Sequence, residues 1–138
     1  MDERAEQLNL SGRWQGQYTY AGWLKKPVSF SANLSESGSW LDGLIEEVGT
    51  AGDAKGRPLS ASVQGRRTGR AVTWIKLYHG NFRHYDAVQY AGEISADGQE
   101  IEGRWNIHGN STGRFLMLRQ NGAAAARTKR KTEKLRAD

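Results

Sequence analysis

Between Leu10 and Arg119 apolar and polar residues alternate with a period of two, interrupted by clusters of Gly, Ser, Asn and Asp. That period sends successive side chains to opposite faces of an extended strand. It predicts eight strands, at Leu10–Tyr20, Val28–Ser35, Trp40–Val48, Leu59–Gly65, Ala71–Tyr78, Tyr85–Ile94, Ile101–His108 and Gly113–Arg119. In the second, Val28, Phe30, Ala32 and Leu34 share a face. In the fifth, Val72, Trp74 and Tyr78 alternate with Thr73, Ile75 and Leu77. Glu36-Ser37-Gly38-Ser39, Ala96-Asp97-Gly98-Gln99 and Gly109-Asn110-Ser111 read as short turns. Asp97-Gly98 is the strongest, because both residues tolerate positive φ. Gly49 to Gly56 and Gly80 to His84 read as longer loops. Neighbouring strands joined by hairpins make an antiparallel meander. An open meander of eight strands leaves two unpaired edges, and closing it removes both. The expected fold class is therefore all-β, an eight-stranded antiparallel up-and-down barrel. Its interior would be filled by side chains or would hold one small ligand.

Composition refines this picture. The chain has 138 residues, enough for one domain with its own core, and 17 glycines against two prolines suit a turn-rich β protein. The expected organisation is a polar segment over 1–9, the barrel over 10–120 and a basic tail over 121–138. The four alanines from Ala123 favour a helix in that tail. There is no cysteine, so disulfides, thiolate metal sites and cysteine nucleophiles are excluded. The start, Met1-Asp2-Glu3-Arg4, is charged, and no apolar run is long enough for a membrane helix. A cytoplasmic protein without membrane partners is the expectation. The net charge of +5 is concentrated in the tail, which holds six Lys/Arg against two acids from residue 123 onward. The body is near neutral, so the basic balance does not make the barrel a nucleic-acid binder.

The tripeptide Gly-Arg-Trp occurs twice, at Gly12-Arg13-Trp14 and Gly103-Arg104-Trp105. A glycine two residues before a tryptophan lies on the same face and leaves room where a barrel bends or closes. "LSGRW" resembles the opening strand of the calycin barrels, the lipocalin, avidin and fatty-acid-binding group. "VTWIKLYHGNFRHYDAVQYAGEI", followed by "IEGRW", is similar to avidin-type strands. The resemblance implies that Trp14 closes one end beneath a basic side chain of the last strand, Arg114 or Arg119. It implies that Trp74 and Trp105 stand where avidins stack a ligand, and that barrels pair as a homodimer. Gln15 and Gln17 occupy the place of the avidins' polar ureido-binding set, and Phe115-Leu116-Met117-Leu118 carries no acid, so biotin is not the implied ligand.

Candidate chemistry is sparse. There is no Gly-x-Ser-x-Gly elbow, phosphate loop or His-Glu-x-x-His, so an enzyme is not expected and no cofactor is implied. His79 and His84 bracket one loop, and His108 ends the seventh strand; no metal site is expected from them. A haem barrel of the nitrobindin type, similar at "GRWQGQY", would need His108 as its axial ligand, and that family's C-terminal pattern is missing. Glu46-Glu47 is a pair whose members point to opposite faces.

Two functional expectations remain. The first is a non-catalytic, lipocalin-like or avidin-like ligand-binding barrel. It would hold a small apolar or aromatic molecule in its open mouth, against Tyr18, Trp74, Tyr78, Tyr90, Trp105 and Phe115. The second is a protein-binding accessory module docking on a larger protein or nucleic-acid assembly. Its contacts would come from Arg66, Arg67 and Arg70 in "QGRRTGR" and from Arg127, Lys129, Arg130 and Lys131 in the tail. Binding of nucleic acid by such a tail would be sequence-independent and salt-sensitive.

Overall fold

The computed structural model describes residues 9–22, 26–50, 52–80, 86–108 and 111–120. Its strands are β1 (Gly12–Tyr20), β2 (Val28–Ser37), β3 (Trp40–Val48), β4 (Pro58–Thr68), β5 (Ala71–Tyr78), β6 (Val88–Ile94), β7 (Glu100–Ile107) and β8 (Ser111–Arg119). Each pairs antiparallel with the next, and β1 pairs with β8, so the sheet is a closed barrel. The seam runs from Trp14 opposite Arg119 to Tyr20 opposite Gly113. The expected architecture is present. The expected start of the sixth strand at Tyr85, the Gly109-Asn110 turn, His84 and the tail over 121–138 lie outside the described residues. No helix among the described residues is long and apolar enough to cross a membrane.

Two ends follow from the up-and-down order. The turns β2–β3, β4–β5 and β6–β7 close one end, the base, together with the entry to β1 and the exit of β8. The longer connections lie at the other end, the mouth. One of them carries a 3-10 turn at Gly52–Ala54, held where the Gly56 N–H donates to the Gly49 carbonyl at 2.9 Å. "QGRRTGR" departs from the expected turn, because β4 runs on to Thr68 and the chain reverses at Gly69-Arg70. Arg66 and Arg67 therefore stand on opposite faces of a strand.

At the base, Trp14 is buried, and its Nε1 donates to the Leu10 carbonyl at 2.9 Å. The Arg119 guanidinium lies 4.5 Å from the centre of that indole. Its N–H groups donate to the carbonyls of Asn9 (2.8 Å), Ser11 (3.1 Å) and Gly98 (3.1 and 3.2 Å). One side chain thus ties the entry to β1, the β6–β7 turn and the end of β8. Beside it, Arg67 grips Glu36 with two bonds, at 2.8 and 2.6 Å, and Glu36 also accepts from the Leu10 N–H at 3.1 Å. Leu34, Leu41, Ile45, Val63, Ile101 and Met117 belong to the apolar core that continues from this layer.

The two Gly-Arg-Trp tripeptides sit at opposite ends, since β1 and β7 run in the same direction with Trp14 at the start of one and Trp105 near the end of the other. Gly103 faces Gly92 directly across β6–β7, and a Cβ there would overlap the Ala91 carbonyl oxygen. The glycine in the second tripeptide is thus a matter of backbone approach.

Arg119→Ala removes the cation over Trp14 and the donors to three carbonyls. It is expected to lower the unfolding free energy by about 2–3 kcal/mol. Arg119→Lys should restore less than half, because an ammonium lacks the planar fork. Denaturant midpoints of the two variants against the parent check this; equal midpoints for Lys and Arg would show that charge alone suffices.

Candidate functional site

In β3 the inward positions are Leu41, Gly43, Ile45 and Glu47; in β5 they are Val72, Trp74, Lys76 and Tyr78. The strand period that buries the apolar residues therefore also places a carboxylate and an amine inside, toward the mouth. Glu47 is 7% exposed and Lys76 0%. The Lys76 ammonium donates to Glu47 Oε1 as a buried ion pair. The Tyr18 hydroxyl donates to Glu47 Oε2 at 2.7 Å, and the Tyr78 hydroxyl to Oε1 at 3.1 Å. Lys76 Nζ is walled by rings, with centres at 4.5 Å (Tyr78), 5.0 Å (Tyr18), 5.9 Å (Phe30) and 6.0 Å (Tyr90).

Burial is the dominant electrostatic effect here. It pushes the Lys76 ammonium below its ordinary range, against the opposing pull of Glu47. It pushes the hydroxyls of Tyr18, Tyr78 and Tyr90 well above theirs, and the neighbouring Glu47 adds to that. All three tyrosines are therefore neutral donors at physiological pH.

Two further aromatic groups adjoin this cluster. Trp74 stacks on Tyr90 (5.2 Å, 16°), and Phe115 presents its edge to both, at 5.4 and 5.0 Å. Trp105 packs edgewise on Tyr18 and Tyr20, at 6.0 and 5.1 Å, and its Nε1 donates to the Thr19 carbonyl at 2.9 Å. Tyr20, Tyr78 and Ile107 are partly buried at the mouth and cover the core from that side.

Tyr18, Trp74, Tyr78, Tyr90, Trp105 and Phe115, expected from the sequence to face inward, all do so, and their ring contacts form two groups, Tyr18 with Trp105 and Trp74 with Tyr90 and Phe115. The expected contact arginines are differently placed. Arg66 lies on the outer face over the Trp40 ring, at 4.9 Å. Arg67 is committed to Glu36. Arg70 donates to the Ile94 carbonyl at 2.7 Å and lies 3.3 Å from Glu93. Arg127, Lys129, Arg130 and Lys131 lie outside the described residues. Sequence reasoning missed Glu47 and Lys76. Their signal was parity, since Glu47 is two residues beyond Ile45 and Lys76 lies between Trp74 and Tyr78 on the same face.

The pair costs desolvation that apolar side chains would not. Glu47→Gln should lower stability by about 3–5 kcal/mol, because it leaves Lys76 buried without a counter-charge. Replacing the whole group, as Tyr18→Phe, Glu47→Leu, Lys76→Met and Tyr78→Phe together, should return to within about 2 kcal/mol of the parent. Chemical denaturation of both proteins checks this. If the fourfold variant is the less stable of the two, the group holds the fold together and is not an added feature.

A tyrosine with a raised folded pKa keeps its proton after the unfolded chain has lost it, near its ordinary value of 10.0. Its stabilising effect is complete below that pH and is lost as pH rises beyond it. Lys76, lowered in the fold, acts oppositely, and its cost has lifted once pH passes the free value of 10.5. Above about pH 11 the tyrosines decide, each weakening the fold by up to ~1.4 kcal/mol per pH unit. Tyrosinate absorbance from Tyr18, Tyr78 and Tyr90 should thus appear together with loss of circular dichroism. Ionisation of all tyrosines in an intact barrel would contradict the burial described.

No family model matches the chain, and no curated protein matches it either.

Proposed function

We propose that this chain is a non-catalytic, calycin-like binding barrel that takes a small, largely apolar or aromatic molecule at its mouth. One observation carries the reading. Glu47, Lys76 and the hydroxyls of Tyr18 and Tyr78 converge inside an aromatic wall, at the end of the barrel where the longer connections lie. Apolar side chains at these positions would cost less to bury. A few convergent polar groups set in aromatic walls are the usual composition of a small-molecule site: the rings supply contact area and the polar group fixes orientation. Tyr18, Tyr20 and Trp105 form one wall of that mouth, and Tyr78 stands across it beside Lys76.

A second reading, a protein-contact module, is favoured by the outer face. The large apolar residues exposed among the described ones are Trp40 (62%), Leu44 (50%), Val48 (58%), Ile75 (44%) and Leu77 (47%). All lie on β3 and β5, on either side of β4; Leu44, Ser62 and Leu77 share one register row, and Ser60 and Ser62 bond the two ring nitrogens of His79 at 3.0 and 2.6 Å. An exposed apolar face of this kind suits a second copy of the same face, set down about a two-fold axis along β4.

Native mass spectrometry of the protein purified from its own host tests both readings. The binding reading expects a non-covalent adduct of a few hundred daltons that is lost on denaturation and reduced in Glu47→Gln. The contact reading expects a dimer that Leu44→Asp with Leu77→Asp converts to monomer. An adduct-free barrel whose tryptophan fluorescence responds to no aromatic compound counts against the first, and a monomer at all concentrations against the second.

A further inference from the structure

The inward tryptophans of the described residues differ in one respect. Trp14 Nε1 donates to the Leu10 carbonyl and Trp105 Nε1 to the Thr19 carbonyl. Trp74, only 2% exposed, has no acceptor for its Nε1 among the described residues. A buried N–H donor without an acceptor is costly, and nearly all such groups in folded proteins are met by something. On the same inward face, two residues along β5, stands Lys76. It has three N–H groups, and Glu47 Oε1 is its acceptor among the described residues. Glu47 already receives Lys76, Tyr18 and Tyr78. Trp74 Nε1 is therefore a buried donor left unmet among the described residues. Among the described residues the formal charges below the mouth cancel, Glu47 against Lys76.

These two facts select the chemistry of an occupant. An unmet buried N–H calls for an oxygen acceptor. A charge balance that is already closed disfavours a carboxylate or an ammonium, since either would bring an uncompensated charge into a desolvated space. Trp74, Tyr90 and Phe115, packed on one another, make the neighbourhood of that N–H aromatic. Positions 74 and 76 are about 7 Å apart along the strand, within the span of one small molecule.

We infer that the barrel selects an uncharged aromatic or apolar carbonyl compound, a ketone or aldehyde, whose oxygen accepts from Trp74 Nε1 next to Lys76. This rests on the binding reading above and specifies the polar end of the ligand.

The test uses four probes on one scaffold: 2-acetylnaphthalene, 2-ethylnaphthalene, 2-naphthoate and 2-naphthylmethylamine, titrated calorimetrically into the full chain. The ketone is expected to bind about tenfold more tightly than the hydrocarbon, the acid or the amine. Trp74→Phe keeps a ring and removes the N–H, so it should erase the ketone's advantage while leaving the hydrocarbon's affinity within about twofold. A second readout needs no variant. The Trp74 indole N–H resonance should move downfield with the ketone and stay in place with the hydrocarbon. Equal affinity for ketone and hydrocarbon, a preference for acid or amine, or an unmoved indole resonance overturns the carbonyl assignment while leaving the binding reading intact. Failure of all four probes to bind overturns the binding reading and this inference with it.

Discussion

Closure of the sheet on itself is the constraint from which the rest follows. Once β1 pairs with β8, every strand has two neighbours, and every side chain has one of two destinations. A residue cannot escape inward placement by drifting to an edge, because there is none. Glu47 and Lys76 are inside for this reason alone. Leu41 and Ile45 set the parity of β3, and Val72 and Trp74 set that of β5. Two charged residues in phase with those apolar ones are carried into the interior, where they satisfy each other and two tyrosine hydroxyls.

The interior consequently has layers. The base is polar but saturated: Arg119 and Arg67 are spent on carbonyls, on Glu36 and on the face of Trp14. The middle is aliphatic and aromatic. Toward the mouth the interior is polar again, and there Trp74 keeps a donor without an acceptor among the described residues. The same residue types thus lock one end and leave the other with unsatisfied capacity.

Much of the fold was legible in the alternation. Strand existence follows from a period of two, and the turns from Gly, Asp and Ser clusters, so β3 and β5 match their expected bounds in full. β4 extended beyond expectation because Arg66, Arg67 and Thr68 looked like turn material. Arg67 is tolerated in the strand by its partner Glu36, which lies far away in sequence. The six aromatic positions were legible for the same reason as the strands. Glu47 and Lys76 were not, because a charged residue in a strand is ordinarily assigned to the solvated face. What overrides that habit is the partner on another strand, 29 positions away, and pairing at that distance is written in topology rather than in local pattern.

The clasp at the base also bears on how the barrel comes into being. Arg119, the last residue of the last strand, bonds across 108 and 110 positions to the carbonyls of Ser11 and Asn9. During synthesis the hairpins can assemble in order as they emerge, but the sheet remains an open ribbon until β8 is available. Long-range closure of this kind is the slow step of β folding, and an open ribbon offers β1 to any strand that passes. The nascent chain spends its most vulnerable interval with its first edge waiting for its last, and Arg119 marks the moment that interval ends.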